Sequence, residues 1–381
     1  MASHDSLLKR IELFVRRTFT QRWLGKPPRE LVAEPHNVLK LGPNAKILFL
    51  RQDRIGDVLV TTPLMRLLRR KFPHAQIDML LSNNNFAVRG GVAHNISSFW
   101  RYTKKVGDTF RLIKSIRTEK YDVIIDLMDN TSATSSYFIQ WMKPRFSVGI
   151  VKENAAIYTH CVPLLDRSRV HIVERIAQLL LPFGINPKME DLSLEYRFAE
   201  NELLKAQEQL GAKSKKLRLG IHLAGSTKNR FWGEENYRKF FSFLKKDFPQ
   251  IEPLIFIPPG YEVVAQNISE ENGVATAPAA KSFHEFAAML HQCDLIFTPD
   301  TSTVHLAAAW KKPCLVMYND YSPHLLRWTP YNSPFKALYT ADSSIAVIAV
   351  DQVMGTLSEL LCENDMDDSK NTDNRVFKTG I

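Results

Sequence analysis

KILFLRQDRIGDVLVTTPLMRLLRRKFP spans Lys46 to Pro73. KILFL is an almost wholly apolar run of strand length. After it, Val58, Leu59, Leu64, Leu67, Leu68 and Phe72 recur at helical spacing. A strand therefore ends, a short polar turn follows, and a helix begins. The turn holds Gly56, which permits a tight or positive-φ turn, and a carboxylate, Asp57. An acid at a helix start is an ordinary cap and complements the helix dipole. It also stands where ligands gather in open α/β sheets, at the carboxyl end of a strand.

The same strand-then-helix pattern repeats along the chain. Apolar runs predict strands over 45–52, 76–82, 122–128 and 146–150, with helices over 57–72, 107–119, 131–142 and 170–183. Past Pro187 the alternation restarts, with strands over 217–224, 253–258, 294–298 and 313–318. Helices there are predicted over 199–211, 234–247, 282–292, 301–310 and 345–361. Such alternation argues for parallel sheets covered on both faces, and the restart for two domains with a cleft between them. The expected organisation is a basic extension (1–44), two α/β domains (45–186 and 187–345), a C-terminal helix (346–362) and a disordered tail (363–381).

The 381 residues suffice for two domains, and 45% hydrophobic content marks a globular chain. Four cysteines lie scattered with no C-x-x-C pair, which excludes the usual zinc spacings and suits a reducing cytosol. No apolar run approaches the roughly 18 residues of a membrane span. The net charge of +10 calls for an anionic partner: nucleic acid, a membrane surface or a phosphorylated substrate. No nucleic-acid-binding signature is present, so nucleic acid ranks last. Residues 1–30 carry seven Lys/Arg against three Asp/Glu. Leu7, Leu8, Ile11, Phe14 and Val15 would share a face of a helix there, either lying on an anionic membrane or packed on the domain. Pro27-Pro28 and Pro35 mark a linker into the first strand.

Three further turns carry candidate chemistry. HLAGSTKNRFWGEENY, His222 to Tyr237, offers Gly225, Ser226 and Thr227 with Lys228 and Arg230. Small residues with cations suit phosphate oxygens, although this is not a Walker A loop. TPDTSTVHLAAAWKKP, Thr298 to Pro313, crowds Asp300, Thr301 and Ser302 at a helix start, with His305 one turn in. A helix start of that kind can bind an anion or a ribose. IFIPPGYE places Gly260 and Glu262 after a strand, where a carboxylate can accept from ribose hydroxyls. Asp365-Met366-Asp367 matches the D-x-D pattern of metal-dependent sugar transferases, but chance supplies such a match in an acidic tail.

Together these pieces resemble glycosyltransferase family 9, the ADP-heptose:lipopolysaccharide heptosyltransferases, over about residues 45–345. The resemblance rests on R-x-D-R-I-G-D-V-L-V-T-T-P-L at 51–64, R-F-W at 230–232 and P-D-T-S-T-V-H-L-A-A-A at 299–309. It implies a GT-B fold, two Rossmann-like domains facing across a cleft, the first binding acceptor and the second an ADP-sugar. It implies an inverting, metal-independent transfer of heptose from ADP-heptose to a Kdo or heptose residue of the lipopolysaccharide inner core, with no cofactor. By motif, Asp57 matches the catalytic base beside Gly56. Arg230, where the family commonly has Lys, would stabilise the departing diphosphate. Ser226, Thr227 and Lys228 fall in the phosphate loop, and Asp300, Thr301, Ser302 and His305 match the helix start that contacts the nucleotide-sugar. Glu262 matches an acidic position near the nucleoside. Ser302 departs from the Gly that many members carry. The resemblance further implies a cytoplasmic enzyme, peripheral on the inner membrane, with a lipid A–Kdo acceptor. Arg101, Lys104, Lys105, Arg111 and Lys114 would then meet phosphorylated lipid and anionic sugar. The rival readings are a transferase using another nucleotide sugar, a nucleotide-sugar epimerase, and a membrane-associated sugar-nucleotide-binding protein.

Overall fold

The computed structural model describes residues 24–319 and 328–364. The basic stretch before residue 24 and the D-x-D tail lie outside the described residues. The chain divides into two compact units between Leu192 and Ser193.

The first unit runs β1 (Lys46–Leu50), α1 (Ile55–Leu59), α2 (Thr62–Lys71), β2 (Gln76–Ser82), α3 (Arg89–Val92), β3 (Ser98–Tyr102) and α4 (Val106–Thr118). It continues through β4 (Val123–Asp126), α5 (Ala133–Met142), β5 (Phe146–Ile150), β6 (His160–Val162) and α6 (Ile172–Ala177). Its six strands are all parallel, in the order β3-β2-β1-β4-β5-β6. In β1, Ile47 to Leu50 are wholly buried, because a central strand of a parallel sheet is covered on both faces. Gly149 in β5 is required by packing: a Cβ there would lie 2.6 Å from the ring of the buried Tyr158.

The second unit runs α7 (Glu200–Leu210), β7 (Leu217–His222), α8 (Glu234–Asp247), β8 (Ile251–Phe256), α9 (Glu262–Asn272), β9 (Ala275–Thr276) and α10 (Phe283–His291). It continues through β10 (Leu295–Pro299), α11 (Ser302–Ala309), β11 (Cys314–Tyr318), β12 (Phe335–Tyr339) and α12 (Val350–Glu363). Its order is β12-β11-β10-β7-β8-β9, again all parallel. Both units are thus Rossmann-like, and the chain order reverses beside β1 and β4 in one and beside β7 and β10 in the other. These switch points are where an open α/β sheet leaves room for a ligand.

Three of the predicted segments take a different form in the structure. The predicted helix over 57–72 is two helices, broken at Val60 and Thr61. Pro63 has no N–H to give to the Leu59 carbonyl; the Thr62 hydroxyl donates to it instead (2.7 Å), and the Thr61 hydroxyl donates to Val58 (2.6 Å). The helix predicted over 170–183 keeps its α geometry only over Ile172–Ala177. The region around Pro35 is not a loose connection. Cys161 N–H donates to Glu30 and Val32 N–H to Cys161, so residues 30–32 run beside β6.

The core of the second unit centres on Trp232, which is fully buried. Its ring meets Tyr237, Phe240 and Phe297 at centroid distances of 5.2, 5.9 and 5.8 Å, all edge to face. Its indole N–H donates to the Ile348 carbonyl at 2.8 Å. Leu357, Leu360 and Leu361 of α12 belong to the same core.

Candidate active site

In the first unit, the site grows from the exit of β1. Arg51 is a buried arginine, and it organises the turn that follows. Its Nε donates to the Asp57 carbonyl (2.9 Å) and Nη1 to the Leu127 carbonyl (2.5 Å). The second bond ties the exit of β1 to that of β4, across the switch point. The same guanidinium lies 3.3 Å from Asp53 Oδ2 and 3.5 Å from Asp57 Oδ1. One buried cation therefore serves two carboxylates. Asp57 is the third residue of α1, and its Oδ2 accepts from Arg54 N–H (3.0 Å). It is a cap, as its position predicts, and its side chain remains 16% exposed. Gly56 lies within α1 and is not among the positive-φ glycines, so of the two turns it permits the positive-φ one is not used. What remains of its role is the missing side chain beside Asp57.

Asp53 behaves differently from an ordinary surface acid. Burial pushes its carboxyl up to about 6, against the pull of Arg51 and with the charges of Asp57 and Asp126 adding to the rise. Its Oδ1 and the Nε2 of Gln52 are buried with no hydrogen-bond partner among the described residues. Asp126, at the end of β4, is neutralised by Lys152 (2.9 Å) and accepts from the Tyr158 hydroxyl (2.6 Å).

In the second unit, the loop after β7 and the turn after β10 come together. Arg230 Nη2 lies 2.6 Å from Asp300 Oδ2, and Nη1 donates to the Asp300 carbonyl (2.7 Å). The loop closes on itself through Gly225 N–H to the Arg230 carbonyl (3.0 Å). Gly225 is needed there: a Cβ would sit 2.8 Å from Arg230 Cβ and Cδ. Thr301 caps α11, accepting from Thr303 N–H (3.2 Å). His222, at the end of β7, sits between the two exits, with Nδ1 3.1 Å from Thr303 Oγ1 and 3.4 Å from Thr301 Oγ1. Burial pushes its imidazole down to about 4, so the ring is neutral near pH 7. It fixes the hydroxyls at the helix start without adding charge.

The predicted residues thus separate into groups. Arg230, Asp300, Thr301, Ser302 and His305 share the β7–β10 switch point or the first turns of α11. His305 is buried, its ring 6.1 Å from Trp328. Ser226, Thr227 and Lys228 lie on the loop, Thr227 and Lys228 exposed and Ser226 likewise, and Lys228 has no carboxylate partner among the described residues. Glu262 opens α9, a helix the sequence reading did not anticipate, and its Oε1 accepts from Gly260 N–H (3.0 Å). Backbone N–H groups of Glu262 itself and Gly260 hold its carboxyl below the usual range. Arg51, Asp53 and His222 were not singled out from sequence. The signal was present, since Arg51 and Asp53 stand in the R-x-D that leads into Gly56-Asp57. Among the described residues no three His, Cys, Asp or Glu side chains converge as a metal site.

The pattern of "Glycosyltransferase family 9 (heptosyltransferase)" matches residues 109–346, more than half of the chain. The chain belongs to glycosyltransferase family 9. It is accordingly a glycosyltransferase with a GT-B fold. The matched span holds the whole β7–β10 site, whereas the Asp57 turn lies before it. Among curated relatives, lipopolysaccharide heptosyltransferase 3 of Escherichia coli K12 is 26% identical over 298 residues, covering 72% of this chain and 82% of its own. A family 9 glycosyltransferase structure from Veillonella parvula superposes with a TM-score of 0.71 at 19% identity, over 85% of this glycosyltransferase and 99% of that chain. The structure of E. coli ADP-heptose lps heptosyltransferase II superposes at 0.67 and 19% identity, over 84% and 99%. At that identity the two structures speak for the fold.

Proposed function

We propose that this glycosyltransferase moves heptose from ADP-heptose to a Kdo or heptose residue of the lipopolysaccharide inner core. The observation that carries the reading is the family match over 109–346, and the names of two relatives, which mention lipopolysaccharide, heptose and ADP-heptose, support it. The acceptor hydroxyl attacks the anomeric carbon, the bond from that carbon to the phosphate oxygen breaks, and ADP leaves with the electron pair. Asp57 takes the hydroxyl proton, and the sugar configuration inverts. No metal ion takes part.

The second unit holds the donor. Thr301 and Ser302 present the N-terminal end of α11, which suits a diphosphate. Arg230, clamped by Asp300, supplies a fixed positive charge as negative charge grows on the leaving oxygen. Lys228, with Ser226 and Thr227, supplies a mobile one. Preorganised charge of this kind lowers the barrier because no reorganisation is required during the reaction. A carboxylate at a helix start is a weak base, but ADP is a good leaving group and proton removal can come late. Glu262 sits by the nucleoside, and His305 supports the sugar end of the site. The first unit, up to Leu192, is the acceptor-binding part, and the second, from Ser193, the donor-binding part. The enzyme works at the cytoplasmic face of the inner membrane, where the lipid A–Kdo acceptor is held.

The test is donor-dependent labelling of purified lipopolysaccharides from a panel of core-truncated strains. Transfer to one truncation establishes the activity and names the acceptor sugar. Conversion of donor without acceptor would point to an epimerase instead. Transfer only from a different nucleotide sugar would trace to Ser302, whose side chain stands where many family members have none.

A further inference from the structure

The first unit carries an exposed surface that the transfer chemistry does not use. Val106, Phe110 and Trp141 are 70, 53 and 43% exposed, and it is their grouping rather than their single exposures that sets them apart. Val106 and Phe110 are one helical turn apart on α4. The Phe110 ring meets Trp141 of α5 edge to face at 6.5 Å, so the three form one patch. The α4 stripe continues, at the same helical spacing, into Lys114 and Arg117.

Beyond the patch, a cavity of about 400 Å³ opens between the ends of α4 and α5. Arg117, Lys120, Lys143 and Arg145 line it, with Ile116 and Met142. It lies at the amino ends of β4 and β5, the opposite end of the sheet from Asp57. Residues 103–122 and 141–145 together carry eight Lys/Arg against three carboxylates. All three carboxylates are engaged. Asp108 pairs with Arg111 (2.8 Å), Glu119 with Lys46 (2.8 Å), and Asp122 accepts from Lys46 N–H (2.9 Å). The other seven cations have no carboxylate partner among the described residues. Cations at the ends of α4 and α5 also complement the helix dipoles, which accounts for Arg117 and Lys143. It does not account for Lys104, Lys105 and Lys114, nor for exposed aromatic rings among them. Aromatic and aliphatic side chains beside unpaired Lys and Arg are the composition that binds at the interface of an anionic bilayer.

We infer that this face of the first unit, Val106, Phe110 and Trp141 with the cations of the α4–α5 cavity, docks on an anionic lipid bilayer. The inference deepens the reading of a membrane-held acceptor and rests on it. The aromatic rings enter the headgroup boundary, and Lys120, Lys143 and Arg145 meet lipid phosphates. The enzyme is thereby held on the surface that carries its acceptor.

Co-sedimentation of the full chain with vesicles tests this. The wild type should bind vesicles containing phosphatidylglycerol, bind pure phosphatidylcholine at least about tenfold more weakly, and release as salt rises. Two full-chain variants, F110S/W141S and K120E/K143E/R145E, should each lose at least about tenfold in partitioning. Both should keep the wild-type melting temperature and the wild-type rate on detergent-dispersed acceptor. Wild-type partitioning by both variants would overturn the assignment and shift the anchor to another surface. Equal binding to both vesicle types would overturn the role of charge. A loss of transfer from dispersed acceptor in step with vesicle binding would make the face an acceptor site and overturn the docking role. Intact vesicle binding by a protein that transfers nothing would refute the transfer reading alone.

Discussion

Replacing Asp53 by Asn should remove one loss of stability that sets in as pH rises. Asp53 is held mainly by burial at about 6, some two units above the ordinary Asp value of 3.8. At about 1.4 kcal/mol per unit, its ionisation in the folded state costs up to about 3 kcal/mol relative to the unfolded chain. The sign follows from the raised value. Below pH 3.8 the group is protonated in both states and costs nothing. As pH rises through 6 the unfolded chain has already ionised freely, while the folded chain must charge a buried carboxyl. Stability is therefore lost between about pH 4 and pH 7. The amide introduced by Asp53→Asn has nearly the same shape as the carboxyl and cannot ionise. The wild-type-minus-variant difference in unfolding free energy, from urea titrations of the first unit's transition, should become more negative by about 1–3 kcal/mol from about pH 4 to pH 7.5. The value of about 6 already includes Arg51, whose attraction to ionised Asp53 at 3.3 Å offsets part of the burial cost. A difference that stays constant across this range would refute the reasoning, and with it the claim that burial raises the Asp53 carboxyl.

Other perturbations follow from the same contacts. Arg51→Lys keeps the charge but cannot reach Leu127, the Asp57 carbonyl and both carboxylates together. It should destabilise the first unit by about 1–3 kcal/mol and lower kcat with little change in donor KM, as steady-state kinetics would show. Arg230→Met should raise donor KM or lower kcat at least about tenfold, while Arg230→Lys retains more activity because a cation still reaches Asp300; equal losses would show that charge is not what matters there. Trp232→Phe leaves the buried Ile348 carbonyl without its donor and should cost about 1–3 kcal/mol, read as a lower melting temperature.

The sequence displayed the interior of both sheets and hid their margins. The eight strands predicted from apolar runs are the central strands, buried on both faces. The four that were missed, β3, β6, β9 and β12, are the four sheet edges. SFWRY and FKALY are mixed and half exposed, HCV and AT are very short, and none presents a continuous apolar run. The break at Val60–Thr61 was written in Thr61-Thr62-Pro63, but the apolar spacing runs through it. At the site, the turns were legible because Gly, small residues and charges cluster at strand ends. The pairing of Arg230 with Asp300 was not, because it depends on which strands lie side by side. His222 was hidden for the same reason: it reads as an interior residue of the predicted strand 217–224 until β10 is placed beside β7.

The most direct test of the central claim measures transfer and donor binding together on Asp57→Ala. With labelled ADP-heptose and the accepting lipopolysaccharide truncation, the wild type should transfer heptose. The variant should bind ADP-heptose with wild-type affinity and transfer at least about a hundredfold more slowly. Transfer near the wild-type rate would contradict the assignment of Asp57 as the base.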